Sequence, residues 1–265
     1  MPKFAANLSM LFTEHPFLER CAAAANAGFR GVEYLSPYEF PEAEVARALH
    51  GAGLEQVLFN VPSGDWASGE RGIACLPDRV EEFRAGVPKA ISYAKALGCR
   101  RINVLAGKIP TGVAHADAHA TLVSNLRFAA GELEREGIAL LAEAINTYDI
   151  PGFFLSGSRQ AFALIDEVGS KNLTLQYDIY HMQRMEGELA ATLRSNPARI
   201  GHVQLADNPG RHEPGTGEIN YPFLFTVLDD IGYAGWIGCE YAPANGTVSG
   251  LGWATSYLNP PHVGN

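Results

Sequence analysis

Short apolar runs, each followed by a longer stretch of helical periodicity, recur along this chain from end to end. That alternation constrains its fold more than any other feature. The runs that read as strands are Phe4–Leu8, Gly31–Tyr34, Gln56–Asn60, Arg101–Leu105, Ile138–Glu143, Leu173–Asp178, Ile200–Leu205 and Trp236–Tyr241. Amphipathic stretches between them predict helices near Pro16–Ala27, Pro41–His50, Asp78–Leu97, Ala116–Glu136, Ser158–Val168, Glu186–Ser195 and Tyr221–Asp230, with Thr247–Leu258 as the candidate for an eighth. Gly28, Gly51, Gly53 and Gly98 stand where helices should stop, and Pro88 predicts a kink or break inside the third.

Uninterrupted strand–helix alternation forces parallel strands joined by crossovers. Eight such units in 265 residues match an α/β (β/α)8 TIM barrel, typically about 250 residues long. The competing doubly wound sheet would carry a GxGxxG or GxxxxGK[ST] loop after a strand, and no strand here is followed by one. No linker, charge block or low-complexity run divides the chain, so residues 1–265 read as one domain. One connection is unusually long, from Val61 to Pro77, and loops of that length in compact domains are often lids or binding loops.

The net charge of −9 argues against a nucleic-acid surface. No apolar run reaches the length of a membrane span, and no signal-peptide h-region follows Met1. Cys21, Cys75, Cys99 and Cys239 form no CxxC pair, which predicts free thiols and a cytoplasmic protein.

Four consecutive strands end on oxygen-bearing side chains: Glu143, Asp178, Gln204 and Glu240. In a parallel barrel the carboxyl ends of the strands open into a shared bowl, so these four would line one half of it. An acid at a strand end often only caps the next element, and buried acids can pair with Arg or Lys in the barrel core. Three carboxylates converging without a partner would force protonation, whereas a divalent cation would relieve them. All-oxygen donors favour a hard ion, Mg2+ or Mn2+, over Zn2+. Two glutamates beside such an ion suit proton transfer next to a carbonyl through an enediolate.

The segments Phe4–Ser9, Gly64–Cys75, Tyr177–Gly187 and Glu213–Tyr221 resemble the hydroxypyruvate isomerase family of the xylose-isomerase-like barrels, and the likeness runs from Phe4 to about Trp253. The resemblance implies reversible conversion of hydroxypyruvate to 2-hydroxy-3-oxopropanoate (tartronate semialdehyde). It implies an acid–base pair at Glu143 and Glu240 and a metal site at Glu143, Asp178, Gln204 and Glu240. At the position of Gln204 the related epimerases have a metal-binding histidine.

Further candidates for touching a small anionic hydroxy-oxo acid are His181, Arg211, Arg71, Lys108, Asn60 and Glu70. A substrate carboxylate calls for a cation, preferably an arginine, which brings in Arg71 on the long loop and Lys108 after the fourth strand. Arg211 follows the seventh strand, and Glu70 would order the lid. Asn7, Asn60 and Asn103 lie at strand ends. A homo-oligomer is the expectation carried over from related barrels. The rival activities are isomerisation of four-carbon 2-oxo-tetronates, ketose epimerisation and, from a different class, a lyase of the inosose-dehydratase type. A metal-dependent nuclease on this fold would need several histidines at strand ends and a basic groove.

Overall fold

The computed structural model describes residues 1–258. Eight parallel strands close into a barrel in strict chain order, with β8 returning to pair with β1. The strands are β1 Lys3–Asn7, β2 Gly31–Glu33, β3 Glu55–Asn60, β4 Arg101–Val104, β5 Ala139–Glu143, β6 Leu173–Asp178, β7 Ile200–Leu205 and β8 Trp236–Cys239. The helices outside are α1 Arg20–Asn26, α2 Glu42–Gly51, α3 Val80–Leu97, α4 His115–Arg135, α5 Ser158–Val168, α6 Ile179–Met185, α7 Leu189–Ser195, α8 Tyr221–Asp230 and α9 Thr255–Leu258. The eight-unit barrel expected from the alternation is therefore the fold observed.

Four expectations change in detail. The first helix begins as a 3-10 turn, Phe17–Glu19, before α1. Pro88 does not break α3, which runs through it unbroken. The sixth crossover holds two helices where the sequence predicts one, Glu186–Ser195: α6 starts directly after β6, and α7 resumes beyond Gly187. Short helices of seven residues carry too little periodicity to be separated by pattern alone. In the tail, a 3-10 stretch Val248–Ala254 precedes α9.

Side chains two apart on a strand share a face, so each strand contributes alternately to the barrel interior and to the helix-covered exterior. The exterior core is one large apolar cluster. The interior is layered. A small plug of Ala5, Val57, Leu58 and Leu141 is sealed by Trp236 near the amino ends. Space there is limited: a Cβ on Gly201 would lie 2.6 Å from Leu141 Cδ2. Above the plug every strand carries a buried polar side chain at its last or next-to-last position or directly after it: Asn7, Glu33, Asn60, Asn103, Glu143, Asp178, Gln204 and Glu240. Burying eight polar groups in one ring is costly unless each finds a partner. Three oxygens in that ring do not: Asn103 Oδ1, Glu143 Oε1 and Asp178 Oδ2.

The long loop is tied down over β3 and β4. Gly72 pairs with Ala106 in an antiparallel bridge, and Cys75 N donates to Ala106 O. Gly72 must be glycine: its φ is +106°, and a Cβ would sit 2.3 Å from Leu105 O.

Candidate active site

The buried acids divide into two linked groups. Strand register aligns Glu143 with Gln176, Asp178 with Gln204, and Gln204 with Gly238, which sets these side chains around one half of the mouth. The first group is Glu143, Asp178 and His181, whose potential ligand atoms all lie within 4.8 Å of one another. Glu143 Oε2 accepts from Asn103 Nδ2 at 3.1 Å, and the same amide donates to Asn60 Oδ1 at 3.0 Å. Asp178 is both strand end and helix cap: its Oδ1 accepts from Tyr180 N at 2.8 Å and His181 N at 3.4 Å. The capping role read from the sequence and the site role thus fall on different oxygens. Glu143 Oε1 and Asp178 Oδ2 are buried without a hydrogen-bond partner. His181 Nε2 stands 3.9 Å from the first and 3.5 Å from the second.

The second group centres on Glu240. Its Oε1 accepts from Arg211 Nη2 at 2.8 Å, while its Oε2 accepts from Gln204 Nε2 at 2.5 Å and Asn7 Nδ2 at 3.3 Å. Behind it lies Glu33, which is not among the candidates read from the sequence. Glu33 Oε1 accepts from Asn7 at 3.0 Å and Gln204 at 2.7 Å, and its Oε2 meets His202 Nε2 at 2.7 Å. Only its place at the end of the second short run could have marked it; no motif surrounds it.

Burial and like charge act strongly here. Burial, then Glu240 and Asp178, push the Glu143 carboxyl well above the ordinary range. Burial lifts Glu240 to about 8 and Asp178 to about 6, with Arg211 pulling both the other way. Burial, followed by Arg211, drives His181 well below its usual value, so its ring is neutral. A carboxylate cluster poised to hold protons near neutrality is the electrostatic signature of acid–base work.

Arg211 reaches Glu240 because of the loop after β7. The Asp207 carboxylate accepts from the backbone N–H groups of Asn208, Gly215, Gly217 and Ile219, and Arg211 N donates to Asp207 O. Arg211 itself holds a left-handed φ of 54°, an uncommon conformation outside glycine that functional loops often keep. Its guanidinium stacks 5.1 Å from the centre of the Tyr180 ring.

The remaining candidates lie on the Val61–Pro77 loop and just after β4. Arg71 Nη1 donates to the carbonyls of Trp66 and Glu70, with the guanidinium 3.9 Å over the Trp66 ring. Lys108 Nζ donates to Gly69 O at 2.7 Å, and Glu70 pairs with Arg79 at 2.7 Å and accepts from Asp65 N. Arg71, Lys108 and Glu70 line one cleft of about 420 Å³. Their partners belong to the lid, whereas Asn60, His181 and Arg211 join the carboxylates.

The donor set fits a hard cation at two points and resists it at two others. The orphaned oxygens of Glu143 and Asp178 are suited to one. Gln204 turns its N–H toward Glu240 and its carbonyl toward Gln176 Nε2 at 2.6 Å, and Glu240 is already engaged by three N–H donors.

Residues 21–257 match the family model described as xylose isomerase-like TIM barrel. The chain belongs to this family. It is 57% identical, over 97% of its own length and 100% of the relative's, to hydroxypyruvate isomerase of Escherichia coli (strain K12). It is 52% identical, over 97% of its length and 99% of the relative's, to 2-oxo-tetronate isomerase of Cupriavidus necator. With relatives of that kind over almost its whole length, the chain is an isomerase. Among solved structures, one described as an AP endonuclease, family 2, from Brucella melitensis superposes with a TM-score of 0.95 at 47% identity, covering 97% of this chain and 99% of that one. A 3-keto-D-glucoside 4-epimerase from Escherichia coli, 21% identical with a TM-score of 0.78 over 97% of this chain and 98% of that one, shares the fold.

Proposed function

We propose that this isomerase interconverts hydroxypyruvate and 2-hydroxy-3-oxopropanoate, with Glu143 and Glu240 as its acid–base pair. The observation that carries the reading is the pair itself: two buried glutamates on β5 and just past β8, both pushed above the ordinary carboxyl range by burial, with an arginine held against one of them. In the forward direction one carboxylate removes a proton from C3 of hydroxypyruvate. The electron pair moves into the C2–C3 bond, and the C2 carbonyl becomes part of an enediolate. The second glutamate delivers a proton to C2, the C3 oxygen becomes the aldehyde, and the hydroxyl proton shifts between the two oxygens, so atoms and charge balance.

Glu240 is the better base for C3, because three N–H donors and Arg211's charge favour its ionised form. Arg211, fixed at the mouth beside Tyr180 and 4.0 Å from Asp149, is placed to meet substrate oxygens as well. Asn60 and Asn103 hold the Glu143 carboxylate in one orientation. A divalent ion, Mg2+ or Mn2+, held by Glu143 and Asp178, would supply positive charge against the developing enediolate. Arg71 on the long loop and Lys108 after β4 are the cations proposed for the substrate carboxylate. The unpaired state of all four cysteines supports a cytoplasmic location.

The nuclease description of the Brucella melitensis structure is disfavoured for this chain. Among the described residues one Glu/Asp/His group could hold a metal, and it contains a single histidine. The net charge of −9 also opposes a phosphate backbone.

Proton NMR of hydroxypyruvate in D2O tests the proposal, run with Mg2+ or Mn2+, with chelator, and with Glu143→Gln and Glu240→Gln. Loss of the C3 methylene signal with aldehyde product, abolished in both variants, is expected. Deuterium uptake without product would move the substrate to the four-carbon 2-oxo-tetronates. No exchange under any metal condition would overturn the assignment and leave the lyase reading.

A further inference from the structure

His181 has one ring nitrogen facing the carboxylates and the other facing Asn146. Asn146 Nδ2 lies 2.7 Å from His181 Nδ1, and both residues are buried. Which of the two donates is settled by a third residue. Asp149 N donates to Asn146 Oδ1 at 2.8 Å, and Asn146 Nδ2 donates to Asp149 Oδ2 at 3.0 Å. Turning the amide over would set oxygen against carboxylate and N–H against N–H, losing both bonds at once. The Asp149 carboxylate is itself held by the Tyr180 hydroxyl at 2.9 Å and Arg184 Nη1 at 3.1 Å, so its orientation owes nothing to the histidine. Asn146 therefore presents N–H to His181 Nδ1. A nitrogen that accepts a hydrogen bond carries no proton, so the ring's single N–H sits on Nε2.

We propose that Asn146 is a positioning residue that locks His181 as the Nε2–H tautomer, so the ring offers the cleft between Glu143 and Asp178 a hydrogen-bond donor and not a lone pair. The three-residue group that could hold an ion by distance alone is thereby reduced to two carboxylate ligands. The Nε2–H is left to donate to a substrate oxygen, a role that rests on the isomerase reading above. The tautomer does not rest on it.

The experiment begins with the wild-type protein in chelator. Long-range 1H–15N correlation of its histidine rings, with His181 assigned by the signals lost in His181→Gln, should show Nε2 protonated and Nδ1 bare. Protonated Nδ1 would overturn the proposal. In Asn146→Ala the fixed pattern should give way to mixed tautomers or to Nδ1–H, and an unchanged pattern would overturn the role of Asn146. In Asn146→Asp the new carboxylate accepts from Nδ1, the lone pair moves to Nε2, and Mn2+ binding by calorimetry should tighten at least about tenfold. Unchanged binding in a folded variant with Nδ1–H would count against the inference. Kinetics close the test: Asn146→Ala alone should lower kcat more than it raises KM, and should cost less than about twofold further when added to His181→Gln. Independent, additive losses would show that Asn146 acts elsewhere. A wild type inactive on hydroxypyruvate would overturn the substrate reading alone, because the ring nitrogens report on Asn146 without substrate.

Discussion

Arg211 donates to Glu240 Oε1 at 2.8 Å from a backbone held in the left-handed region, joining the loop after β7 to the residue that follows β8. The pair does two things: it favours the ionised form of a carboxylate buried among other acids, and it stations a guanidinium at the barrel mouth. Arg211→Gln should lower kcat/KM by about 10²-fold, the range for loss of one preorganised charge-stabilising donor. It should also move the acidic limb of the kcat/KM profile to higher pH, since Glu240, the base, loses the charge that opposes its protonation. Steady-state kinetics across pH check this, and wild-type kcat/KM with an unmoved limb would sink it.

Stability should fall as pH rises. Asp178 moves from 3.8 to about 6 and Glu240 from 4.5 to about 8 on burial. Between the unfolded and folded values the unfolded chain has released these protons and the native chain has not, so ν_U − ν_N is negative and the unfolding free energy declines with pH. The contribution is complete below about pH 4 and lost by about pH 8. In chelator, Tm should therefore drop through that window, and Glu240→Gln should flatten the portion above about pH 6. A Tm rising from pH 5 to 8 in the wild type would contradict it.

Mg2+ or Mn2+ should raise Tm by relieving the same cluster. At a hundredfold excess over Kd the gain is about 2.7 kcal/mol. Asp178→Asn should abolish the shift yet leave the metal-free Tm nearly intact, because an asparagine oxygen can still cap α6 and Asn is as good a cap as Asp. Differential scanning fluorimetry with and without ion separates the two roles of this residue, and a full ion-induced shift in the variant would exclude Asp178 as a ligand.

Glu33 should prove essential to the ring. It takes N–H donors from Asn7 and Gln204 and contacts His202, all buried, so Glu33→Ala strands His202 Nε2 and leaves Asn7 and Gln204 with Glu240 alone. The cost should be about 3 kcal/mol or more, a Tm lower by about 10 °C in a chain of this size. Gly238→Ala should reproduce much of the defect from β8, on the far side of β1, since its Cβ would stand 2.3 Å from both Glu33 oxygens. Calorimetry on both variants tests this; a Tm within a degree of wild type for either would show that the interior can rearrange around it.

Local pattern carried the architecture a long way. Period-2 and period-3.6 hydrophobicity are properties of neighbouring residues, and eight β-α units in this length leave few closures besides a barrel, so strand order and the gathering of these side chains at the carboxyl ends followed from the chain alone. Glu143, Asp178, Gln204, Glu240, His181 and Arg211 could be named because each lies at a strand end or within a few residues of one, and the recurrence of acids at consecutive ends pointed to a shared bowl. Tertiary structure decided what those atoms face. Whether Gln204 shows its oxygen or its N–H depends on Gln176, Glu33 and Glu240, which come from three other strands. That Glu33 belongs to the ring depends on a contact with His202, 169 residues away. That His181 is a donor depends on an amide oriented by Asp149. Hydrogen-bond direction and proton position are set by partners distant in sequence and brought together only by barrel closure. Periodicity can place a residue on a face, but the chemistry at its tip is fixed by what stands across the barrel.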